Sequence, residues 1–428
     1  MEFVKKTISR NDMFAVLKIR PFSFMMISEF FSQFAFNMQH FVLIFVIFAL
    51  TRSNTAVSGI ILSFTIPAIL FSLITGVFVD RWNKKNILFL TNILRGVFLI
   101  PFFIPNLHIG FIYTFTFLIA VATQFFLPAE SAIIPSLVPK RLLFSANAVF
   151  SLGIYSTTLI GYILSGPILL LLGKTYTFVF LAALFFVSAF FITLISINKK
   201  NNGKNIDVQI TPSLTYEAKE IFSFIRKTRK VMYALTMLTL AQAVIFMFAV
   251  LAPGYATNIL KVQLESLSWI LITPAAVGMG GGALILGSIG KKFNRKWLSS
   301  LGFLLAGASF IIFPFLNQVT SHGFVQFLNK FLPSVLNITS LHIVVVMAAV
   351  MGFAISLVFI PSNTTIQIET QESMRGRIYG FLNALIGAVS FLPVVLAGGL
   401  ADLFGVSTVI TGFGIIMVTI GLFFLAFE

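Results

Sequence analysis

The sequence contains no cysteine, which removes disulfides, thiolate metal sites and thiol chemistry together. Its four histidines, His40, His108, His322 and His342, are scattered and show no metal-ligand spacing, so neither a metal nor any other cofactor is expected. Charge is scarce as well. Only 10 % of the 428 residues are charged, and acids are the rarer sign, 13 against 29 bases. A clustered nucleophile, acid and base is missing, which argues against an enzyme. The glycine cluster "GMGGG" at 278–282 has no strand before it and lies in an apolar run, so it reads as a helix-packing surface and not a phosphate loop.

What is present is hydrophobic sequence. Hydrophobic residues make up 58 % of the chain, the mean hydropathy is +1.00 and long apolar stretches recur throughout, the composition of a polytopic membrane protein. Each helical span needs roughly 20 apolar residues, so about a dozen fit the length. Barrel strands would alternate apolar and polar residues, and none of these segments does. Breaks at charges, Pro, Gly and Asn place spans near 21–50, 56–79, 87–105, 109–136, 142–171 and 176–197, then 231–258, 267–289, 297–316, 341–367, 374–400 and 405–427. The first run is too long for a signal-peptide core and should be retained as a span. The expected fold is an all-α membrane protein of twelve transmembrane helices in two six-helix bundles. The expected domains are 1–197, a linker at 198–230, and 231–428.

Orientation follows from the bases. With the N-terminus inside, residues 1–20, 81–85, 140–141, 199–230, 291–296 and 375–377 hold 24 of the 29, whereas Arg52, Lys174, Lys261 and Lys330 fall outside and Arg95 lies within a span. That asymmetry places both termini in the cytoplasm of a bacterial-type inner membrane. The net charge of +16 is then a topology signal meeting anionic lipid, with no nucleic-acid role. In the linker, Ile221, Phe222, Phe224 and Ile225 interleave with Lys219, Arg226, Lys227 and Lys230, a basic amphipathic helix expected to lie on the inner leaflet.

The two halves echo one another. Ile66-Pro67-Ala68 begins a span ending in "DRWNKK", and Thr273-Pro274-Ala275 begins one ending in "GKKFNRK"; "FLP" at 126–128 matches "FIP" at 359–361. Parallel repeats of this kind imply a transporter with its site between pseudo-symmetric halves. The segment "GVFVDRWNKKN" at 76–86 resembles the signature loop between helices two and three of the major facilitator superfamily, and the resemblance covers essentially the whole chain. "LPAESAIIPSLVPKRLLFSANAVFSL" (127–152) and "ESMRGRIYGFLNAL" (372–385) resemble its branch of macrolide-efflux, enterobactin-exporter and lysophospholipid-transporter proteins. The resemblance implies a gating latch. Gly76, Asp80, Arg81, Lys84 and Lys85 hold one side, and the other is the start of helix eleven, with Ser373 as N-cap beside Arg375 and Arg377. Gly161, Gly166 and Pro167 loosely resemble the glycine-proline motif of drug antiporters, though close helix packing accounts for them.

Inside the membrane, Glu29, Gln33, Asn37 and His40 share one face of the first helix and are expected to line the cavity. Glu29 is the expected proton-coupling group, since a carboxyl withdrawn from water can exchange a proton for a cation. Arg95 and Glu130, at comparable depth, are expected to form a buried ion pair. Gln124, Tyr155, Gln242, Asn363, Gln367 and Asn383 are further cavity candidates. The function read from these residues is export of an amphipathic or lipophilic small molecule by alternating access, coupled to proton antiport. The alternatives are a lysophospholipid flippase on the same fold and, further off, a membrane-embedded enzyme or receptor. The partners are then the small-molecule or lipid substrate, protons and membrane lipids, with the protein a monomer.

Overall fold

The computed structural model describes residues 10–104, 107–196, 214–290, 293–315 and 340–426, and among the described residues there are helices and no strands. In chain order the helices are α1 (Arg10–Leu17), α2 (Arg20–Thr51), α3 (Asn54–Arg81), α4 (Lys84–Leu99), α5 (Ile109–Leu137), α6 (Leu143–Thr193), α7 (Leu214–Lys227), α8 (Arg229–Gly254), α9 (Thr273–Ile289), α10 (Arg295–Ile312), α11 (Ser340–Glu369), α12 (Glu372–Phe404) and α13 (Val406–Ala426). Their boundaries fall where polar caps interrupt apolar runs. Asn83 accepts from the amides of Lys85 and Asn86 at the start of α4, His108 from Gly110 at α5, and Asn294 from Lys296 at α10. Prolines 67, 128, 135, 167, 253, 361 and 393 lie inside spans, where neighbouring helices and hydroxyls satisfy the freed carbonyls.

Among the described residues, eleven helical segments are long and apolar enough to cross a membrane, and one of them, Ser145–Thr193, covers 49 residues. A straight helix of that length would run about 74 Å, more than twice a hydrocarbon core. Gly173 breaks it, with φ 69° and ψ 174°, a conformation that only glycine adopts without strain. Phe150 before the break and Ile192 after it share one core cluster, so the chain doubles back and α6 supplies two crossings. Among the described residues the total is twelve. Gly405, φ 85°, makes the corresponding break between α12 and α13.

The chain divides into two compact units, one of residues 1–42 and 63–211, the other of residues 43–62 and 212–428. In the first, Phe22 and Met25 of α2, Leu88 of α4, Phe126 and Ile133 of α5 and Ala146 of α6 close a core that also takes Val16 of α1. The second is pinned by a backbone crossing of α9 and α11. A methyl group on Gly278 would run into the Ala349 carbonyl, one on Gly352 into the Ala275 carbonyl, and one on Gly282 into Ser356. The expectation of packing at "GMGGG" therefore holds for Gly278 and Gly282, whereas Gly280 and Gly281 have open space.

The linker helix does not follow its expectation. α7 turns Ile221 and Ile225 onto Val231, Leu235 and Leu238 of α8, Ile366 of α11 and Ile378 of α12, with Phe224 packed alongside, while Phe222 stays well exposed. Its apolar face finds protein rather than the lipid surface. Glu220 anchors it further through an ion pair of 3.2 Å with Arg377.

Candidate functional site

Within the first unit, α2 carries its polar stripe inward. Glu29 is 1 % exposed, and its polar neighbour is the Gln33 side chain one turn on. Asn37 donates to the Gln33 carbonyl at 2.7 Å, and His40 Nδ1 lies 2.9 Å from the Phe36 carbonyl with its ring between Phe36 and Phe64. Glu29, Gln33 and Asn37 are buried, and α6 lies against the Asn37 end of the stripe: a Cβ on Gly161 would stand 3.0 Å from Asn37 Cβ and 3.2 Å from the Phe34 carbonyl. Gly161 is thus a packing glycine, as the sequence suggested.

Arg95 of α4 is also 1 % exposed. Its Nη2 donates to Asn92 Oδ1 at 2.9 Å and its Nε to the Thr91 carbonyl at 3.4 Å. The guanidinium carbon stands 4.0 Å from the Phe126 ring centroid and 4.9 Å from that of Phe185, a cation held between two aromatic faces. Asn92 Oδ1 accepts a second bond, from Ser32 Oγ of α2 at 3.0 Å. Glu29 and Arg95 act electrostatically on one another, so the acid and base of this core belong to one charge system. The expected Arg95–Glu130 pair is not formed. Glu130 is buried, but seven residues from the end of α5, whereas Arg95 is eleven from the start of α4. At 1.5 Å per residue that is a mismatch of about 6 Å in depth.

The latch residues divide. Gly76, Asp80 and Arg81 lie on α3, but their side chains are outside the described residues, as is that of Ser373. Lys84 opens α4, and Lys85 is committed elsewhere, donating to the carbonyls of Thr193 and Ile195 at 2.8 and 2.6 Å, where it caps the end of α6. The N-cap of α12 is Gln371, so Ser373 sits inside the first turn and is not the cap. Arg375 donates to the Thr370 carbonyl, and Arg377 is taken by Glu220. Of the remaining candidates, Gln124 and Tyr155 belong to the first unit, and Gln242, Asn363, Gln367 and Asn383 to the second. Asn363 accepts from the Tyr379 hydroxyl at 3.1 Å, and Tyr155 is 74 % exposed.

One residue escaped the sequence reading. Asp402, near the end of α12, receives five hydrogen bonds: Oδ1 from the amide and side chain of Asn54 at 2.8 and 2.9 Å, and Oδ2 from Ser53 Oγ, Thr55 N and Thr55 Oγ1 at 2.6, 3.0 and 2.7 Å. It is an N-cap for α3 delivered from another helix, with the carboxylate on the positive end of the dipole. Ser58 adds a bond of 2.7 Å to the Val394 carbonyl, and Gly398 leaves room for the Asn54 backbone. This clasp explains why residues 43–62 count with the second unit while the rest of α2 and α3 counts with the first. The signal was there: a lone acid in "GGLADLFG" and a cap-rich "TRSNT" at 51–55.

The first unit also has an apolar cavity of about 680 Å³ between α4 and α5, with Leu90, Leu94 and Phe125 on its walls and Trp82, Asn83 and Asn86 at one end.

The sequence profile of the Major Facilitator Superfamily matches residues 25–392. The chain is 26 % identical over 393 residues to the uncharacterized MFS-type transporter YfiS of Bacillus subtilis (strain 168), covering 89 % of this chain and 86 % of that one. It is 23 % identical over 384 residues to the multidrug efflux pump Tap of Mycolicibacterium fortuitum, covering 87 % and 86 %. Among solved structures, a POT family transporter in complex with a thioalcohol conjugated peptide superposes with a TM-score of 0.71 at 14 % identity, covering 95 % of this chain and 96 % of that one.

Proposed function

Because the chain belongs to the Major Facilitator Superfamily, and is therefore a membrane transporter and not an enzyme, we propose that it exports an amphipathic or lipophilic small molecule by proton antiport. The observation that carries this reading is Glu29, a carboxyl buried in the bundle core with only the Gln33 side chain and the Arg95 charge acting on it. A buried carboxyl so placed is stabilised by a proton or by a cation, and by one at the expense of the other. When the proton occupies Glu29, the charge of Arg95 is still held by Asn92 and two aromatic rings. When a cationic substrate approaches, it takes the carboxylate and the proton leaves. Tap, a multidrug efflux pump, supports the direction and substrate class, and the drug-sized apolar cavity of the first unit supports a lipophilic cargo.

The bias of basic residues supports an orientation with both termini in the cytoplasm, at the inner membrane. Transport runs by alternating access, and the Asp402 clasp is a contact the cycle must release. A lipid-flippase reading would use Arg95 for a headgroup, but its Nη2 and Nε already donate to Asn92 and to the Thr91 carbonyl, so export is preferred.

The test is proton release from purified protein on addition of lipophilic cations, together with efflux into inverted vesicles. Glu29→Gln is expected to abolish both the release and gradient-driven export while leaving counterflow of neutral substrates. Equal proton release from the Gln variant and the parent would place coupling elsewhere.

A further inference from the structure

The second unit holds a polar pocket that transport, as read above, does not use. It measures about 240 Å³, below the range of drug-sized sites, roughly 300–1,000 Å³. Its walls are the starts of α8 and α10 and the end of α11. Three cations edge it, Lys230, Arg295 and Lys296, against one acid, Glu369. Glu369 is matched by Lys230 at 2.9 Å, which leaves two positive charges without an acid in the pocket. Arg295 Nη1 reaches only the neutral Thr365 hydroxyl, at 3.5 Å, and Lys296 Nζ lies 5.7 Å from the Tyr233 ring centroid. The first turn of α10, an 18-residue helix, forms part of the wall, so its dipole adds to the positive potential.

A separate observation points to a ligand. Ser362 lines this pocket and is 2 % exposed, and its hydroxyl has no hydrogen-bond partner. Buried hydroxyls are ordinarily satisfied. Ser299, also in the wall, donates back to the Arg295 carbonyl, and Thr365 to that of Pro361, so of the three lining hydroxyls Ser362 is the donor left over.

We propose that this pocket binds a phosphate group, with Arg295 and Lys296 pairing its charge and Ser362 donating from the floor. Guanidinium and ammonium groups above a hydroxyl, at a helix N-terminus, suit a tetrahedral oxyanion better than a carboxylate or an apolar ligand. The phosphate can arrive as the headgroup of an anionic phospholipid or as free phosphate, and the experiment separates the two.

Full-length protein would be placed in phosphatidylcholine nanodiscs with or without phosphatidylglycerol, and separately titrated with inorganic phosphate in the anion-free discs. Thermal unfolding and native mass spectrometry of retained lipid are the readouts. Parent protein should be stabilised by one of these probes. The apparent affinity should fall on the order of tenfold in Arg295→Gln, since hydrogen bonds to charged groups are the strong class, and several-fold in Ser362→Ala. Arg295→Lys should recover part of it, and Arg141→Gln, on the first unit, should match the parent. Stabilisation by phosphatidylglycerol alone identifies a lipid site, and stabilisation by phosphate alone a soluble one. No stabilisation by either, or equal stabilisation of parent, Arg295→Gln and Ser362→Ala, overturns the proposal. Ser362→Ala removes a single oxygen, so it reports even if Arg295→Gln fails to fold.

Discussion

Asn92 receives the Arg95 guanidinium and the Ser32 hydroxyl on one oxygen, so it joins α2 to α4 and holds a buried cation in place. Asn92→Ala should therefore cost on the order of 1.5–3 kcal/mol, the range for hydrogen bonds to charged groups, whereas Ser32→Ala should cost only about 1 kcal/mol. Unfolding in mixed micelles measures both, and equal losses would count against Asn92 as the anchor of Arg95. At this scale the sequence was half legible. Spacing put Glu29, Gln33 and Asn37 on one face, and they are on one face. It could not supply the rotation of α4 about its axis, which directs Arg95 to a neighbour three residues back and two phenylalanine rings instead of to Glu130. Depth counted from a loop is one coordinate of three.

α7 shows how a helix can be read correctly while its surroundings are not. Its amphipathic period and basic edge are plain in the sequence, but the same stripe suits a lipid headgroup layer or a protein groove, and the groove of α8, α11 and α12 is assembled only by the fold. Full burial of an isoleucine contributes roughly 1.5–3 kcal/mol. Ile225→Asp should accordingly detach α7 and raise its cleavage by added protease at least tenfold, whereas Phe222→Asp, at a position 61 % exposed, should leave the rate near that of the parent. Similar rates for the two variants would mean that α7 rests on lipid after all. The spans themselves were legible because hydropathy alone sets their length. α1 was not, since Arg10–Leu17 is short and mixed in character, and joins the first unit through Val16.

For the molecule as a whole, the Asp402 clasp ties the α2–α3 tip to α12. Because the chain has no cysteine, a single Ser58→Cys makes a clean reporter at a position only 2 % exposed. Asp402→Asn keeps one acceptor oxygen, but its amide nitrogen can accept from neither Ser53 nor Thr55 on the other side. Loss of roughly 1.5 kcal/mol or more should speed maleimide labelling at 58 about tenfold. An unchanged rate would show that the clasp does not govern exposure of the tip. The described spans were legible from recurring hydropathy; the clasp was not, because its partners lie almost 350 positions apart. The break at Gly173 has its own consequence at this scale. An even number of crossings returns the chain to the face from which it set out, and an odd number does not. Without the reversal at Gly173 the described spans would number eleven, and the basic residues that follow, from Arg226 to Arg377, would fall on the opposite side of the count. The parity of the described spans hangs on one residue with a φ of 69°.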